Sequence, residues 1–273
     1  MRICLILEGC YPYIFGGVST WMHQYINEMK EHEFVLWVIG ANAKDKGKFV
    51  YELPKNVVEV HEVFLDDALR LKDSGKMFHA FTEEETNSLK ELMLCRRPNW
   101  EILFRLYHDQ KLNPMSFLRS EEFLNILTEC CIKDYPYTPF ADAFHTMRSM
   151  LLPVLYLMGS EVPKADVYHA ICTGYGGLLA CLGGHVYKKK VLLTGAWIYT
   201  REREEEIIRA KWVQPAFKKQ WISFFYMLSD IIYTRAFLVS ALFTNAMHAQ
   251  IQMGCDKGKC RVVENGINYE RLS

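Results

Sequence analysis

The chain has 273 residues, half of them hydrophobic, and its 32 lysines and arginines balance 32 aspartates and glutamates. This length suffices for one large or two small domains with a substantial core. Because the charge is balanced and no basic cluster occurs, the composition excludes strong attraction to nucleic acid or to a membrane surface, and we expect neither partner.

The nine cysteines lie mostly inside apolar runs, as Cys4, Cys172 and Cys181 do. This usage is typical of buried thiols in a reducing compartment. No cysteine pair has the spacing of a zinc site, so we expect no metal. No signal peptide precedes the first predicted strand, and no uncharged apolar run reaches about 18 residues. The sequence therefore predicts a cytoplasmic protein without membrane insertion.

The first twenty residues predict a strand, a glycine loop and a helix. Residues 3–7 are continuously apolar, as in a strand buried on both faces, Gly16 and Gly17 follow, and a helical apolar period begins at Val18. Such a loop lies at the carboxyl end of a parallel strand, where ligands bind, and its N–H groups favour anions. The alternative is a connection that needs two glycines only for close packing.

Residues 34–41 and 57–64 predict two further strands, the second with a more polar face and therefore nearer a sheet edge. Residues 66–159 carry no clear strand. They contain helix starts instead: a capping box from Thr82 to Glu85, Ser120 before two glutamates, and Pro139 at a first helical position. We interpret this stretch as a helical insertion that folds over one end of the sheet.

Strands alternate with helices again in the second half of the chain. We predict a strand over 166–173, a glycine loop over 174–177, a helix from Leu178 and a strand over 191–194. Thr200 is predicted to cap an acidic helix, and a long amphipathic helix spans 217–232. A strand over 238–243, a helix over 245–253 and a short strand over 261–264 follow. The order predicts one three-layer α/β/α Rossmann-like domain over residues 1–273, with a mainly parallel sheet and the strand from Arg2 to Glu8 at its centre.

Four segments, at residues 8–21, 168–177, 198–207 and 262–271, resemble the N-terminal half of PelF-like retaining GT-B glycosyltransferases. The resemblance implies two Rossmann-like domains facing a cleft, the first for the acceptor and the second for the donor UDP-glucose. Asn265-Gly-Ile-Asn268 occupies the place of the element that leads into the second domain, close to the last residue. We therefore expect an acceptor-side half that is inactive alone, with no cofactor, no UDP-glucose binding and no catalytic residue.

Two departures from the family pattern strengthen that expectation. Gly195-Ala196-Trp197 stands where the family typically has Glu-His-Gly, and Ala246 and Met247 stand where basic residues usually follow an asparagine. A carboxylate, an imidazole and positive charge are thus absent from segments that the resemblance places at the cleft.

Several residues remain candidates for residual binding of an anion or a sugar, namely Gly16, Gly17, His169, Thr173, Tyr175 and Arg201. Each has a structural alternative. His169 lies in a strand pattern, which is more typical of a core histidine than of a ligand. Glu8 beside the glycine loop is equally compatible with a capping role, and Arg201 and Arg203 with solvated helix charges.

The alternative function belongs to another class, a scaffold, engineered or naturally diverged, that self-associates or binds a protein partner. The cleft face gains apolar residues, which on soluble domains usually mark interfaces. The candidates are Phe15, Ala196, Trp197, Ala246 and Met247, with Phe237 nearby. A two-fold homodimer is the simplest expectation.

Overall fold

The computed structural model describes residues 1–71, 79–195 and 198–266. Its strands are β1 (Arg2–Glu8), β2 (Glu33–Gly40), β3 (Val57–Phe64), β4 (Val167–Ala170), β5 (Lys190–Gly195), β6 (Leu238–Ala241) and β7 (Cys260–Val262). Its α-helices are α1 (Gly17–Glu28), α2 (Glu83–Met93), α3 (Trp100–Phe104), α4 (Pro114–Leu118), α5 (Glu121–Asp134), α6 (Phe140–Met158), α7 (Gly174–Tyr187), α8 (Tyr199–Arg209), α9 (Lys218–Arg235) and α10 (Thr244–Gln252). A π-helical turn, Arg105–Asp109, continues α3.

The seven strands form one parallel sheet in the order β3-β2-β1-β4-β5-β6-β7. The chain runs outward from β1 to β3, which is an edge strand as predicted, and then returns to the other side of β1 as β4. From there it runs outward to β7. The order therefore reverses between β1 and β4, and in open α/β sheets a crevice for ligands opens at that reversal. The Rossmann-like α/β fold is confirmed.

Alternating residues of β1 point into two separate hydrophobic clusters. Ile3, Leu5 and Leu7 pack with Met22 and Ile26 of α1 on one face of the sheet. Residues of β1 with the opposite parity pack on the other face, in a larger cluster that includes the buried sides of α7 and α9. Both faces of β1 are thus covered, which explains its continuous apolar run.

Buried residues of the helical insertion belong to the same hydrophobic cluster as one face of the sheet. Buried residues of α6, such as Leu151 and Leu155, belong to the same cluster as Trp37 and Ile39 of β2, and α6 also packs against α7. The position of the insertion over one end of the sheet stays a prediction.

Two predicted helix starts in the insertion are confirmed by their hydrogen bonds. The Thr82 hydroxyl accepts from the Glu85 N–H at 3.3 Å, and the Glu85 carboxylate accepts from the Thr82 N–H at 3.0 Å. The Ser120 hydroxyl accepts from the Phe123 N–H at 3.1 Å. Among the described residues of the insertion no strand occurs, as predicted.

Three helix starts differ from the prediction. Pro139 is the N-cap of α6 and not its first helical residue. Thr200 lies inside α8, where its hydroxyl contacts the Met253 sulfur at 2.7 Å, and Ile198 is the N-cap. Helix α7 already begins at Gly174, because the predicted glycine loop is its first turn. Its first ten residues are all buried, so no polar face marks the start in the sequence.

The longest helices, α6 and α9, have 19 and 18 residues and carry charged or polar residues on their outer sides. Within the described ranges, no helix combines the length and the apolar character needed to cross a bilayer.

Candidate functional site

The reversal between β1 and β4 places a largely buried carboxylate at the carboxyl edge of the sheet. Glu8 is the last residue of β1. Gly9 follows in the left-handed region, with φ +65°, and its N–H donates to the Ile39 carbonyl at 3.0 Å. This turn directs the chain away from the sheet and leaves the Glu8 side chain facing the start of α7.

Three donors from two other segments hold the Glu8 carboxylate. The Gly176 N–H in the first turn of α7 donates at 3.2 Å, and the Cys172 thiol donates at 3.7 Å. The Tyr199 hydroxyl in the first turn of α8 donates to the other oxygen at 3.1 Å. One carboxylate therefore joins the ends of β1, β4 and β5, and it sits at a helix N-terminus, where negative charge is favoured.

Burial dominates the electrostatics of this cluster. It raises the pKa of Glu8, while Arg203 and the three donors act in the opposite direction. Burial and the Glu8 charge together raise the pKa of Tyr199 and of Cys172 well above their usual values, so both remain donors at neutral pH. The Arg203 guanidinium lies 5.2 Å from the Tyr199 ring centroid and pairs with Glu206 at 2.6 Å. The cluster is a preorganised acceptor site that a hydroxyl-bearing ligand can extend.

The glycine loop that precedes α1 is open. A Cβ added to Gly16 or Gly17 meets nothing within 4 Å, so close packing does not require this pair. Helix α1 has no side-chain N-cap bond and no acidic residue in its first turn. Its first N–H groups are therefore available to an acceptor.

The second glycine run behaves in the opposite way. A Cβ at Gly174 lies 2.4 Å from the Tyr199 ring, and one at Gly177 lies 2.9 Å from Ile232. Here glycine is needed for close approach between α7, α8 and α9. These residues position Tyr199 against Glu8, but they do not form an open loop.

His169 lies away from the Glu8 cluster. It is buried in the middle of β4, on the face that packs against Tyr25, and its Nε2 is 2.8 Å from the Thr194 hydroxyl. Thr194 in turn hydrogen-bonds Ser240 at 2.8 Å, and Ser240 donates to the Leu193 carbonyl at 3.4 Å. Burial lowers the pKa of His169 to about 4. These contacts match the structural alternative, a neutral core histidine that links β4, β5 and β6.

The remaining ligand candidates do not converge on one point. Thr173 is buried and accepts from the Ser229 hydroxyl at 2.8 Å. Tyr175 is buried beside Phe224. Arg201 is exposed on α8. Gly16 and Gly17, at the start of α1, have open space around them.

The predicted interface residues do not form one exposed surface. Ala196 and Trp197 lie outside the described residues. Phe15 is exposed, with 70% of its surface accessible, whereas Ala246 is buried because α10 packs that side against the sheet. Met247 packs against the core. Phe237 precedes β6 and therefore lies at the amino end of the sheet, so its expected place on the cleft side was wrong.

Sequence reasoning noted Glu8 and Arg203 but did not bring them together with Tyr199 and Cys172. The sequence offered one signal for this grouping. Cys172 and Tyr199 each follow a strand, β4 or β5, by a few residues, and the carboxyl ends of parallel strands lie at the same edge of a sheet. As for metals, the described ranges hold no group of three histidine, cysteine, aspartate or glutamate residues arranged to bind one.

Fold and site together define a class, a Rossmann-like α/β domain with one hydrogen-bonded glutamate at the switch point of its parallel sheet. Residues 1–258 match the family described as a domain of unknown function, DUF3492, and the chain belongs to this family. No curated protein matches it.

Proposed function

We propose that this protein is the acceptor-side half of a retaining GT-B glycosyltransferase of the Pel type. The observation that carries the proposal is the set of Glu8 contacts, which joins three of the segments that bear the family resemblance. They meet at the reversal point of the sheet, where ligands of open α/β folds bind.

In this proposal the acceptor is a sugar chain that reaches the edge beside Glu8. A sugar hydroxyl donates to the Glu8 carboxylate, which is already held in place by Gly176 and Tyr199. The open N–H groups at Gly17 and the start of α1 bind a sugar oxygen. Arg203 acts against the rise in the Glu8 pKa that burial causes, and it thereby favours the ionised carboxylate.

The test of this role is replacement of Glu8. Glu8→Gln removes the charge but keeps the shape, and we expect it to weaken binding of soluble hexose or N-acetylhexosamine oligosaccharides about ten-fold. Titration calorimetry on the folded variant measures this. Glu205→Gln is the matched control, because Glu205 is an exposed carboxylate on α8 that pairs with Arg209 at 3.6 Å. Equal affinity of wild type and Glu8→Gln, or no oligosaccharide binding by wild type, contradicts the proposal.

We also propose that residues 1–273 alone do not transfer glucose. The resemblance assigns the UDP-glucose diphosphate to a second domain, and only interactions that strengthen in the transition state accelerate transfer. The expected result with radiolabelled UDP-glucose and an oligosaccharide is no product, and calorimetry should detect no donor binding. Turnover by the chain alone contradicts this.

A second candidate function is self-association through the carboxyl edge. Large apolar side chains are exposed there: Ile14 by 57% and Phe15 by 70% after β1, and Phe243 by 53% after β6. Exposed apolar surface on one side of a domain favours an interface. The proposed partner is a second copy of this chain related by a two-fold axis.

Sedimentation velocity distinguishes this candidate. We expect wild type to dimerise at micromolar concentration and Phe15→Glu with Phe243→Glu to remain monomeric. Phe237→Glu is the control, because Phe237 is equally exposed, by 58%, but lies at the opposite end of the sheet. A monomeric wild type, or a dimer that both the double variant and the Phe237→Glu control retain, contradicts self-association through this edge.

A further inference from the structure

Two fully buried side chains beside the helical insertion carry polar atoms without a partner. Trp37 comes from the middle of β2 and Tyr107 from the π-helical turn. Neither the Trp37 Nε1 nor the Tyr107 Oη has a hydrogen-bond partner. Because buried polar groups in native proteins are nearly always paired, two such groups in one region require an explanation.

Both residues line the same cavity, which has a volume of about 440 Å³. It lies between β3 and the insertion, away from the Glu8 cluster. Val63 and Leu112 add apolar walls, and Tyr156 of α6 adds a second aromatic ring. The volume falls within the range of small-molecule sites, about 300–1,000 Å³, and the mixture of apolar walls with a few polar groups is typical of them.

The charged groups on the cavity wall are of both signs. Lys111, Glu62 and Glu161 line it. Glu62 already accepts hydrogen bonds from the Tyr13 hydroxyl and the Gly47 N–H, whereas Lys111 and Glu161 form no salt bridge with another described residue. Burial raises the pKa of Tyr107, so its hydroxyl stays protonated. Trp37 Nε1 can only donate. Neutral donors, one cation and two carboxylates, one of them already hydrogen-bonded, suit an uncharged ligand that carries several oxygens.

The backbone that presents Tyr107 departs from regular helix. The Gln110 N–H donates to the Arg105 carbonyl at 2.9 Å, and the Leu112 N–H donates to the Leu106 carbonyl at 3.0 Å. Lys111 adopts φ +53°, which is uncommon for a residue other than glycine. π-Helical turns are frequent at functional sites, and observed strain of this kind supports a functional hypothesis.

We propose that this cavity binds a neutral polyol of monosaccharide size. A ligand oxygen accepts from Trp37 Nε1, a second bonds the Tyr107 hydroxyl, and the Tyr156 ring packs against the C–H face of the ligand. This site is separate from the Glu8 edge and does not depend on the proposed glycosyltransferase function.

The binding test is an NMR titration of the six indole N–H signals of the ¹⁵N-labelled chain. The probes are D-glucose and N-acetyl-D-glucosamine, with inorganic phosphate as the anionic comparison. We expect a saturable shift of the Trp37 signal, identified by its loss in Trp37→Phe or by through-bond assignment if that variant does not fold. No saturable shift with either sugar, or a shift with phosphate alone, overturns the proposal.

The second arm replaces Tyr107 by phenylalanine. Because the Tyr107 hydroxyl has no protein partner, Tyr107→Phe should melt no lower than wild type and bind the sugar at least about five-fold more weakly, a loss near 1 kcal/mol. The matched control is Tyr137→Phe, since the Tyr137 side chain is 99% exposed. A lower melting temperature for Tyr107→Phe shows that the hydroxyl is already paired, with a buried water, and overturns the proposal. Unchanged sugar affinity overturns it as well.

Discussion

At the scale of single residues, burial is the largest influence on the pKa of Glu8 on β1 and of His169 on β4. Glu8 loses hydration, and burial therefore raises its pKa, although the charge of Arg203 and three hydrogen-bond donors act in the opposite direction. His169 loses hydration and has only hydroxyl partners, so burial lowers its pKa to about 4. At neutral pH His169 is therefore uncharged, and its role in the fold is a hydrogen bond across the sheet.

The depressed pKa of His169 predicts acid sensitivity. Its pKa falls from 6.5 to about 4 on folding, so the unfolded chain binds a proton that the folded chain rejects, and stability falls as pH drops through this window. The loss approaches about 3 kcal/mol near pH 4. Urea unfolding of wild type and His169→Gln between pH 7 and pH 4.5 measures it. His248→Gln, at an exposed histidine, is the control. Identical pH slopes for wild type and His169→Gln contradict the prediction.

At the scale of elements, α7 needs glycine because it packs very closely against β4, α8 and α9. A Cβ at Gly183 falls 2.3 Å from the Tyr168 ring on β4, and one at Gly177 falls 2.9 Å from Ile232 on α9. This close approach holds Gly176 against Glu8. Helix α1 is different, since its first residue, Gly17, has open space around it.

This contrast gives a paired prediction. Gly183→Ala should lower the free energy of unfolding by about 1–3 kcal/mol, since Tyr168 is fully buried and cannot move freely. Gly17→Ala should leave stability unchanged or raise it by up to about 1 kcal/mol. Chemical denaturation of both variants measures the difference. A Gly183→Ala variant as stable as wild type shows that α7 can shift away from β4. If Gly17→Ala weakens oligosaccharide binding at unchanged stability, the loop contributes to the acceptor site.

At the scale of the whole molecule, the sheet order predicts which strands open last. β1 and β2 are buried on both faces and paired on both sides, whereas β3 has one free edge and partly exposed side chains. Hydrogen exchange follows the free energy of local opening. Mass-spectrometric exchange should therefore show the slowest amides in β1 and β2 and faster ones in β3. Equal protection of β3 and β1 contradicts this ranking.

The sequence by itself determined the elements that hydrophobic period and local hydrogen bonds dictate. The buried run of β1, the alternating pattern of β3 and the caps at Thr82 and Ser120 are local features, and each was predicted within a few residues. The predicted helix start was wrong where the local signal was absent, as in α7, whose first turn is buried on all sides.

Only the tertiary structure decided which polar residues share a site. Glu8, Cys172 and Tyr199 are far apart in sequence and meet because β4 returns beside β1 and places three strand ends at one edge. The two glycine runs look alike in sequence, yet one is open and the other is packed. The difference depends on which side chain lies opposite each glycine, and that is a property of long-range packing that no local pattern encodes.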